Sequence, residues 1–325
     1  MSCTATYCMK ISIIILSFNN YEETTGKCLA ALASDPDFRT WEVIVVDNAS
    51  DAKTQQHLIE EKLLYPEVNF VLNSQNVGFA AGNNIGIKLA IGDIFILLNS
   101  DAFPPPGMLG QLVEHLARDP QLGMVGPVTN AAGNEQCIYT KASNIEEIIN
   151  EGLRYASNGD RETLSAYRLD FFCVAIPRHV LKLVGGLDED FGRGYYEDLD
   201  YSLRIKAAGY RLGVAENTFV YHRGSSSFGK IPGETKALLK RNKRLVVQKH
   251  GNGVIFQHVR QANLAILHQY LEKKIAGAEI PSYRISNRLQ LAHSGLPRSW
   301  FKRWRYLRSV SVFEKCCTVI FDKSF

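Results

Sequence analysis

Carboxylate side chains follow several of the most apolar runs of this 325-residue chain. Asp47 ends the run WEVIVV, Asp101 comes after IFILLNS, and Glu197-Asp198 opens a segment with apolar residues at helical spacing. Ionised carboxylates accept hydrogen bonds from ribose hydroxyls and ligate hard cations. A carboxylate near a helix N-terminus is stabilised in its charged form and can take a proton from a hydroxyl. We therefore expect a nucleotide diphosphate and a metal at Asp101, and a general base at Glu197-Asp198.

Each of these carboxylates also has a purely structural interpretation. Asp101 precedes a proline-rich turn and could cap it. Asp47 could form an Asx turn, and Asp198 could cap a helix that carries Asp200 in its first turn. The residues alone leave both interpretations open.

His222 is the candidate second metal ligand. Asp101, His222 and two diphosphate oxygens would make a shell for Mg²⁺ or Mn²⁺, and Mn²⁺ tolerates an imidazole better. A lone histidine is more often structural than a ligand. However, His222 precedes the polar segment RGSSS, residues 223–227, which is suited to closing over phosphates.

The elements that must position these side chains alternate between strands and helices. Apolar runs bounded by turn residues predict strands at 11–17, 41–46, 68–72 and 94–98. Helical spacing predicts helices at 22–33 and 54–64, and a third that ends at about Ala90. This alternation predicts an α/β fold with a mostly parallel sheet flanked by helices. Since parallel strands end at one edge, the polar strand ends should meet where such sheets bind ligands.

The next part of the chain continues the pattern. We expect strands at 122–128, 169–176, 211–215 and 219–222, and helices at 107–118, 145–155, 177–184 and 197–208. A glycine-rich loop, residues 185–196, leads into the last of these helices. Beyond residue 229 the sequence turns helical and basic.

Composition excludes several classes of protein. A hydrophobic content of 46% and a net charge of +4 are ordinary for a globular protein and do not indicate nucleic-acid binding. The seven cysteines are odd in number and form no C-x-x-C pair, which argues against a disulfide framework or structural zinc and favours a cytoplasmic location. No apolar run is long enough to span a membrane. The run ISIIILSF lacks a following small-residue cleavage site, so we interpret it as a strand, not a signal peptide.

The glycine-rich segment NVGFAAGNNIG, residues 76–86, is expected to bring backbone close to a ligand with a helix behind it. Its glycines are spaced by four, so it is neither G-x-G-x-x-G nor a Walker loop. A hydride-transfer enzyme therefore lacks its fingerprint.

Motifs spread over residues 11 to about 230 resemble those of family 2 glycosyltransferases with the GT-A fold. The resemblance is strongest to the rhamnosyltransferase-type branch, which builds bacterial cell-surface polysaccharides. In this chain, ISIIILSFNN resembles the family's opening strand and VIVVDNASDA its nucleotide-binding strand and turn. NVGFAAGNNIG resembles the family's next helix, and ILLNSDAFPPP its metal-binding DxD motif. The later piece GGLDEDFGRGYYEDLDYSLRIKAAGYRL, followed by YHRGSSS, resembles the family's acceptor loop, base helix and terminal histidine.

The resemblance implies inverting transfer of a sugar from a nucleotide-sugar donor to an acceptor hydroxyl. Asp101 would hold Mg²⁺ or Mn²⁺ and His222 would complete the metal or diphosphate site. Asp198 would be the general base, with Glu197 beside it. The donor would be dTDP-rhamnose or a UDP-hexose, and the acceptor a saccharide or a lipid-linked saccharide.

The donor would lie along the carboxyl edge of the sheet. The resemblance places Asp47 at the base or ribose and Asn83 near the diphosphate or base. The residues expected to contact the nucleotide sugar are Ser17, Asn19, Asp47, Asn76, Gly78, Asn83 and Ser100. The family's DxD is here Asn99-Ser100-Asp101, with one carboxylate instead of two, so we expect weak metal binding before the donor arrives.

Two other classes of protein remain as alternatives. A catalytically silent module that binds nucleotide sugars or carbohydrates would be favoured by loss of Asp101 or Asp198, and both are present. A nucleotidyltransferase would need a glycine-rich loop with Lys or Arg after the first strand, where this chain has SFNNY.

Two domains are expected. Residues 1–230 would form the catalytic domain, with a nucleotide-sugar half at about 1–128 and an acceptor half at about 129–230. Residues 231–325 would form a helical, basic extension.

Within this extension, the segment RSWFKRWRYLR, residues 298–308, interleaves basic and aromatic residues. This composition suits the inner face of a membrane, and equally a solvated helix packed on the catalytic domain through its aromatics.

Overall fold

The computed structural model describes residues 9–157, 162–224 and 232–320. Cys3, Cys8, the serines at 225–227 and the expected domain boundary at 230–231 lie outside the described residues. Eight strands build one sheet, in the spatial order β3-β2-β1-β4-β8-β6-β9-β7. The strands of this sheet are β1 (Ile11–Ser17), β2 (Glu42–Asp47), β3 (Asn69–Leu72), β4 (Ile94–Asn99), β6 (Leu122–Val128), β7 (Leu164–Ser165), β8 (Cys173–Pro177) and β9 (Arg211–Phe219).

Two further strands form a separate pair near the edge of this sheet. They are β5 (Ala102–Phe103) and β10 (Tyr221–His222), which run antiparallel. Helices cover the large sheet and follow one another in the chain as α1 (Thr25–Ala33), α2 (Ala52–Leu64), α3 (Phe79–Leu89), α4 (Met108–Arg118), α5 (Ile145–Ala156), α6 (Arg178–Val184) and α7 (Glu197–Ala207).

The large sheet is mostly parallel, as predicted. β1 pairs in parallel with β2 and β4, β2 with β3, and β6 with β9. β8 is the exception in the middle of the sheet, because it runs antiparallel to both β4 and β6. The isoleucines of β1 and the apolar residues of β4 are buried, so these two central strands form the core.

Two predicted strands differ from the observed ones. The strand expected at 169–176 begins only at Cys173, because the backbone N–H groups of Leu169 and Asp170 donate to the side chains of Ser202 and Gln136. The strands expected at 211–215 and 219–222 are a single strand, β9, followed by β10. β9 continues because its register against β6 shifts between Pro127 and Val128.

The first helix is also shorter than predicted. Helix 22–33 begins at Thr25, and a 3₁₀ turn, Tyr21–Glu23, precedes it.

Four helices follow β10: α8 (Pro232–His250), α9 (Val259–Ile275), α10 (Ser282–Ser294) and α11 (Trp300–Ile320). They are joined to the sheet by a buried ionic cluster. Glu216 of β9 accepts hydrogen bonds from Arg288 at 3.0 Å and from the hydroxyls of Tyr155 and Tyr270, both at 2.5 Å. Arg284 contributes a further ion pair at 3.3 Å. Among the residues described, no helix combines the length and the apolar character that crossing a membrane requires.

Candidate active site

The ends of β1 and β2 meet in two interlocked turns. Asn19 adopts a left-handed backbone conformation, with φ of 54°. Its N–H donates to Ser50 Oγ at 2.8 Å, and its Oδ1 accepts from the N–H of Asp51 at 2.8 Å. The buried Ser17 hydroxyl lies 2.8 Å from Thr25 Oγ1. Ser17 and Asn19 therefore lie at the carboxyl edge with their side chains engaged in structural hydrogen bonds.

Asp47 is fully buried at the end of β2. Its carboxylate accepts from the Ser50 N–H at 3.1 Å, from the Ser50 hydroxyl, and from Gln55 Nε2 at 3.1 Å. These contacts agree with the turn-forming interpretation of Asp47. A direct contact with a base or ribose is a separate role, which would require these hydrogen bonds to be shared or exchanged.

Asn76 and Gly78 are held by a residue that the sequence analysis did not single out. Asn48 Nδ2 donates to Asn76 Oδ1 at 3.0 Å and to the Gly78 carbonyl at 3.3 Å. Asn48 Oδ1 accepts from the N–H of Val77 at 3.0 Å. Asn48 directly follows Asp47, so its place in the same strand-end motif was the available signal.

The glycines of α3 serve packing between helix and strand. A Cβ at Gly82 or Gly86 would collide with the side chains of Leu16 and Ile14 of β1. The close backbone approach expected in this segment is therefore made to the sheet at these two positions. Asn83 is buried and its Nδ2 donates to the Phe79 carbonyl at 2.9 Å.

The neighbouring Asn84 makes the longer-range contacts. Its Nδ2 donates to the Leu187 carbonyl at 2.8 Å and to Glu189 Oε1 at 2.9 Å, and its Oδ1 accepts from the Leu187 N–H at 2.9 Å. Asn84 thus joins α3 to the 185–196 loop. The resemblance implied a contact with the donor for Asn83. Two adjacent asparagines in the sequence give no signal that would have indicated the loop contacts of Asn84.

Asp101 and His222 come together through the small sheet. Pairing of His222 with Ala102 places the imidazole beside Asp101, and the Arg223 N–H donates to the Asp101 carbonyl at 3.0 Å. Asp101 Oδ1 lies 3.4 Å from His222 Nε2. Ser100 is buried in the same turn after β4. The structure therefore brings together the two side chains expected to bind a metal, although they are 121 positions apart in the sequence.

The tautomer of His222 follows from its other nitrogen. Nδ1 lies 2.7 Å from the Ala131 carbonyl, which can only accept, so Nδ1 carries a proton and Nε2 faces Asp101. A metal-ligating histidine typically donates its second ring N–H to a carbonyl in this way. Burial lowers the pKa of His222, but the Asp101 carboxylate outweighs it, so the pKa is raised.

A carboxylate oxygen and an imidazole nitrogen 3.4 Å apart are donors of the types that Mn²⁺ or Mg²⁺ accepts together with diphosphate oxygens. Across the described ranges, no group of three or more His, Cys, Asp or Glu side chains could hold a metal. Weak metal binding before the donor arrives stays a prediction.

Glu197 and Asp198 occupy the first turn of α7. Tyr196 is the N-cap residue, so Asp198 does not cap the helix; its Oδ1 accepts from the Leu199 N–H at 2.8 Å. Arg168 Nη1 contacts Asp198 Oδ2 at 3.2 Å. Burial raises the pKa of both carboxyls. Repulsion by Asp198 further raises the pKa of Glu197, and repulsion by Asp170 raises both, whereas Arg168 lowers both. The pair therefore holds on to one proton more readily than ordinary surface carboxyls do.

Asp170 and Arg168 are site residues that the sequence analysis did not find. Arg168 Nη2 contacts Asp170 Oδ1 at 3.2 Å, so the guanidinium bridges Asp170 and Asp198. The Asp170 charge raises the pKa of both Asp198 and His222. Asp170 therefore contacts Asp198 indirectly, through Arg168, and its charge also acts on His222. Residues 169–172, which directly precede β8, contain no motif that would have indicated a role for Asp170.

The backbone before α7 is strained. Tyr195 and Tyr196 both have left-handed conformations, with φ of 72° and 74°. Such conformations cost on the order of 1–3 kcal/mol for a non-glycine residue and cluster at functional sites. The strain directly precedes Glu197 and sets the direction in which α7 begins.

The chain matches the family Glycosyl transferase family 2 over residues 12–183, more than half of its 325 residues. It therefore belongs to this family, as the motifs predicted. It is 27% identical over 241 residues to the hyaluronan synthase of Pasteurella multocida, a match that covers 66% of this chain and 24% of that protein. It is 25% identical over 218 residues to an N-acetylglucosaminyl-diphospho-decaprenol L-rhamnosyltransferase of Mycobacterium tuberculosis (strain ATCC 25618 / H37Rv), covering 58% of this chain and 69% of that protein.

Solved structures share the fold. The mannosyltransferase PcManGT from Pyrobaculum calidifontis, in complex with GDP-Man and Mn²⁺, superposes with a TM-score of 0.53 at 18% identity, covering 94% of this chain and 87% of that one. GalNAc-T7 with UDP, GalNAc and Mn²⁺ gives a TM-score of 0.55 at 16% identity, covering 74% of this chain and 48% of that one. These similarities confirm the predicted GT-A architecture.

Proposed function

We propose that this protein is an inverting glycosyltransferase that moves a sugar from a nucleotide-diphosphate sugar to an acceptor hydroxyl. The observation that most supports the proposal is the Asp101–His222 pair, with Oδ1 and Nε2 3.4 Å apart, and it is joined by the ion pairs of Arg168 with Asp198 and Asp170 at 3.2 Å. A general base and a site that stabilises the departing diphosphate are what this reaction needs.

The reaction would be a single displacement. The acceptor oxygen attacks the anomeric carbon as its proton passes to Asp198. The bond from that carbon to the diphosphate oxygen breaks, and its electron pair leaves on the diphosphate. Because no enzyme nucleophile takes part, the configuration of the sugar inverts.

Asp198 suits the base role better than Glu197. Asp198 contacts the Arg168 guanidinium at 3.2 Å, which favours its ionised form. Glu197 is buried, and its Oε2 has no hydrogen-bond partner, so the shared proton resides on Glu197. The two neighbouring carboxyls thus take different protonation states because Arg168 forms a direct ion pair with Asp198, whereas it acts on Glu197 only through its charge.

Asp101 and His222 would hold a divalent ion, Mg²⁺ or Mn²⁺. When bound, the ion would neutralise the negative charge that develops on the departing diphosphate. The residues at the donor edge would orient the nucleotide, with Asp47 and the Asn48–Gly78 hydrogen bonds defining its floor. We propose dTDP-rhamnose or a UDP-hexose as donor, supported by the rhamnosyltransferase among the relatives.

The acceptor would be a saccharide or a lipid-linked saccharide in the synthesis of a cell-surface polysaccharide. The name of the mycobacterial relative, which specifies a decaprenol-linked substrate, supports this proposal. We further propose a cytoplasmic protein that contacts the inner face of the membrane through residues 298–308. Trp300, Phe301 and Trp304 are 77%, 58% and 49% exposed on α11, beside basic residues, which is the arrangement that an anionic lipid surface favours.

A screen of nucleotide sugars with Mn²⁺ tests the proposal. We expect one donor to raise the melting temperature and to be transferred or slowly hydrolysed. Asp101→Ala should abolish metal-dependent donor binding. Asp198→Asn should keep donor binding but lower turnover by at least about 10²-fold. Turnover in Asp198→Asn within a few-fold of the wild type would exclude Asp198 as base, and donor binding without any turnover in the wild type would favour a silent binding module.

A further inference from the structure

The 185–196 loop is held at both ends by asparagines from other elements. The loop connects α6 to α7 and includes Gly185, Gly192 and Gly194, all with positive φ. It ends in the strained pair Tyr195-Tyr196, after which Glu197-Asp198 follow directly. The conformation of this loop therefore determines where the proposed base lies.

Asn242 of α8 binds the second half of the loop. Its side chain is fully buried, and Nδ2 donates to the carbonyls of Phe191 at 2.9 Å, Gly194 at 2.8 Å and Tyr195 at 3.0 Å. Arg241 supports it, since Nη1 donates to Asn242 Oδ1 and Nη2 to the Asp190 carbonyl, both at 2.9 Å. The two N–H groups of this amide are thus shared among three carbonyls, one at the end of the 3₁₀ turn Glu189–Phe191 and two in the irregular segment after it.

Apolar contacts reinforce the same junction. Phe191 of the loop, Leu199 of α7 and Val246 of α8 form a small hydrophobic cluster that is separate from the main core. Lys249 of α8 forms an ion pair with Asp188. α8 therefore contacts both the loop and the helix that carries Asp198.

The first half of the loop is fixed from the donor side. Asn84 of α3 bonds Leu187 and Glu189, and a Cβ at Gly78 would collide with the Gly192 carbonyl. The loop consequently lies between the donor edge and α8, with a polar anchor on each.

We propose that Asn242 is a positioning residue for catalysis, which fixes Asp198 by holding the strained end of the 185–196 loop. Asn242 lies outside residues 12–183, the segment that matches the family. The C-terminal helices would thereby complete the active site of the catalytic half. This inference rests on the proposed function of Asp198.

The test compares Asn242→Leu with Asn263→Leu. Leucine matches the size of asparagine and removes the donors. Asn263 is an equally buried asparagine of α9 whose Nδ2 donates to the Arg288 carbonyl at 2.8 Å, away from the loop. We expect Asn242→Leu to lower kcat by about 10²-fold while the KM for the donor stays near the wild-type value, because a small misplacement of a reacting group has an effect of this size. Asn263→Leu should keep the wild-type kcat.

A second, milder variant tests the proposal if Asn242→Leu fails to fold. Asn242→Ser, with hydrogen–deuterium exchange of peptides from 190–200, should show faster exchange there and an intermediate kcat. An equal fall of kcat in Asn242→Leu and Asn263→Leu, or unchanged kcat and exchange in Asn242→Ser, would overturn the inference. Loss of activity in Asp198→Asn with wild-type kcat in Asn242→Leu would reject the positioning role alone, whereas activity in Asp198→Asn would reject the base itself.

Discussion

At the scale of single residues, the charge states of four side chains define the proposed chemistry. Asp198 and Asp170 share one guanidinium, that of Arg168, and Glu197 is buried next to Asp198 without a cation of its own. The ionised carboxyl is therefore selected by geometry, since all three acids are of the same chemical type. Removing Arg168 would change which acid is ionised without changing the acids themselves.

The pH dependence of kcat reports this selection. Burial raises the pKa of Asp198 above the ordinary value of about 3.9, and Arg168 opposes the rise. A base must be deprotonated to act, so kcat should fall as the pH drops through this raised pKa. Arg168→Gln removes the opposing charge, so its acidic limb should lie at higher pH than that of the wild type.

The measurement is kcat from pH 4.5 to 8 for both proteins, with Arg118→Gln as control. Arg118 pairs with Glu114 on the surface of α4 and should leave the profile unchanged. Coincident profiles of Arg168→Gln and the wild type would contradict the assignment of Arg168.

At the scale of elements, short and irregular segments bring the site together. The two residues of β10 place His222 beside Asp101, and the 185–196 loop places Asp198. α11 is divided along its length: Val310 and Phe313 are buried, and Phe313 packs against His268 of α9, whereas Trp300, Phe301 and Trp304 are exposed. These three exposed aromatics leave an apolar surface uncovered, and a lipid surface is the occupant that we propose for them.

Binding to vesicles tests this surface. The combined variant Trp300→Ser, Trp304→Ser should bind vesicles of anionic phospholipid at least severalfold more weakly than the wild type, because interfacial aromatics and basic residues act together. Both side chains are exposed, so the fold and donor binding should persist.

Binding is measured by cosedimentation with the vesicles. The matched control is the combined variant Leu63→Ser, Leu64→Ser, which removes exposed apolar residues elsewhere. These leucines of α2 are also strongly exposed. Equal binding of all three proteins, or no binding by the wild type, would remove residues 298–308 as a membrane contact.

At the scale of the whole molecule, buried ion pairs join the helices after β10 to the sheet. Glu216 forms ion pairs with Arg284 and Arg288 and accepts hydrogen bonds from two tyrosine hydroxyls. Arg288 also donates to the carbonyls of Glu135 and Cys137. The two guanidiniums lower the pKa of Glu216 in spite of its burial. Sheet and C-terminal helices are consequently expected to unfold together.

Removing the central charge should show this dependence. Glu216→Gln leaves two buried guanidiniums without their carboxylate, so the free energy of unfolding should fall by about 3–5 kcal/mol. Glu162→Gln affects a solvent-exposed ion pair with Lys273 and should cost at most about 1 kcal/mol.

Urea unfolding followed by tryptophan fluorescence and by circular dichroism gives both values. Similar losses in the two variants would show that the cluster around Glu216 contributes no more than a surface pair.

The sequence by itself determined the family and the alternation of strands and helices, and it indicated Asp47, Asp101 and Asp198 as candidate site residues. These features are local, because apolar periodicity and strand-end polarity are written within windows of about ten residues. β1 and β6 even have the predicted bounds.

Only the tertiary structure decided what depends on contacts between distant segments. It reversed β8 within the sheet, placed Gly82 and Gly86 of α3 against β1, and joined Asn84 to the 185–196 loop. It also revealed Arg168 and Asn242, whose partners lie 30 or more residues away, and Asp170, which pairs with Arg168. Hydrogen bonds and charge pairing depend on distance in space, and no spacing along the chain encodes which side chain a folded loop will meet.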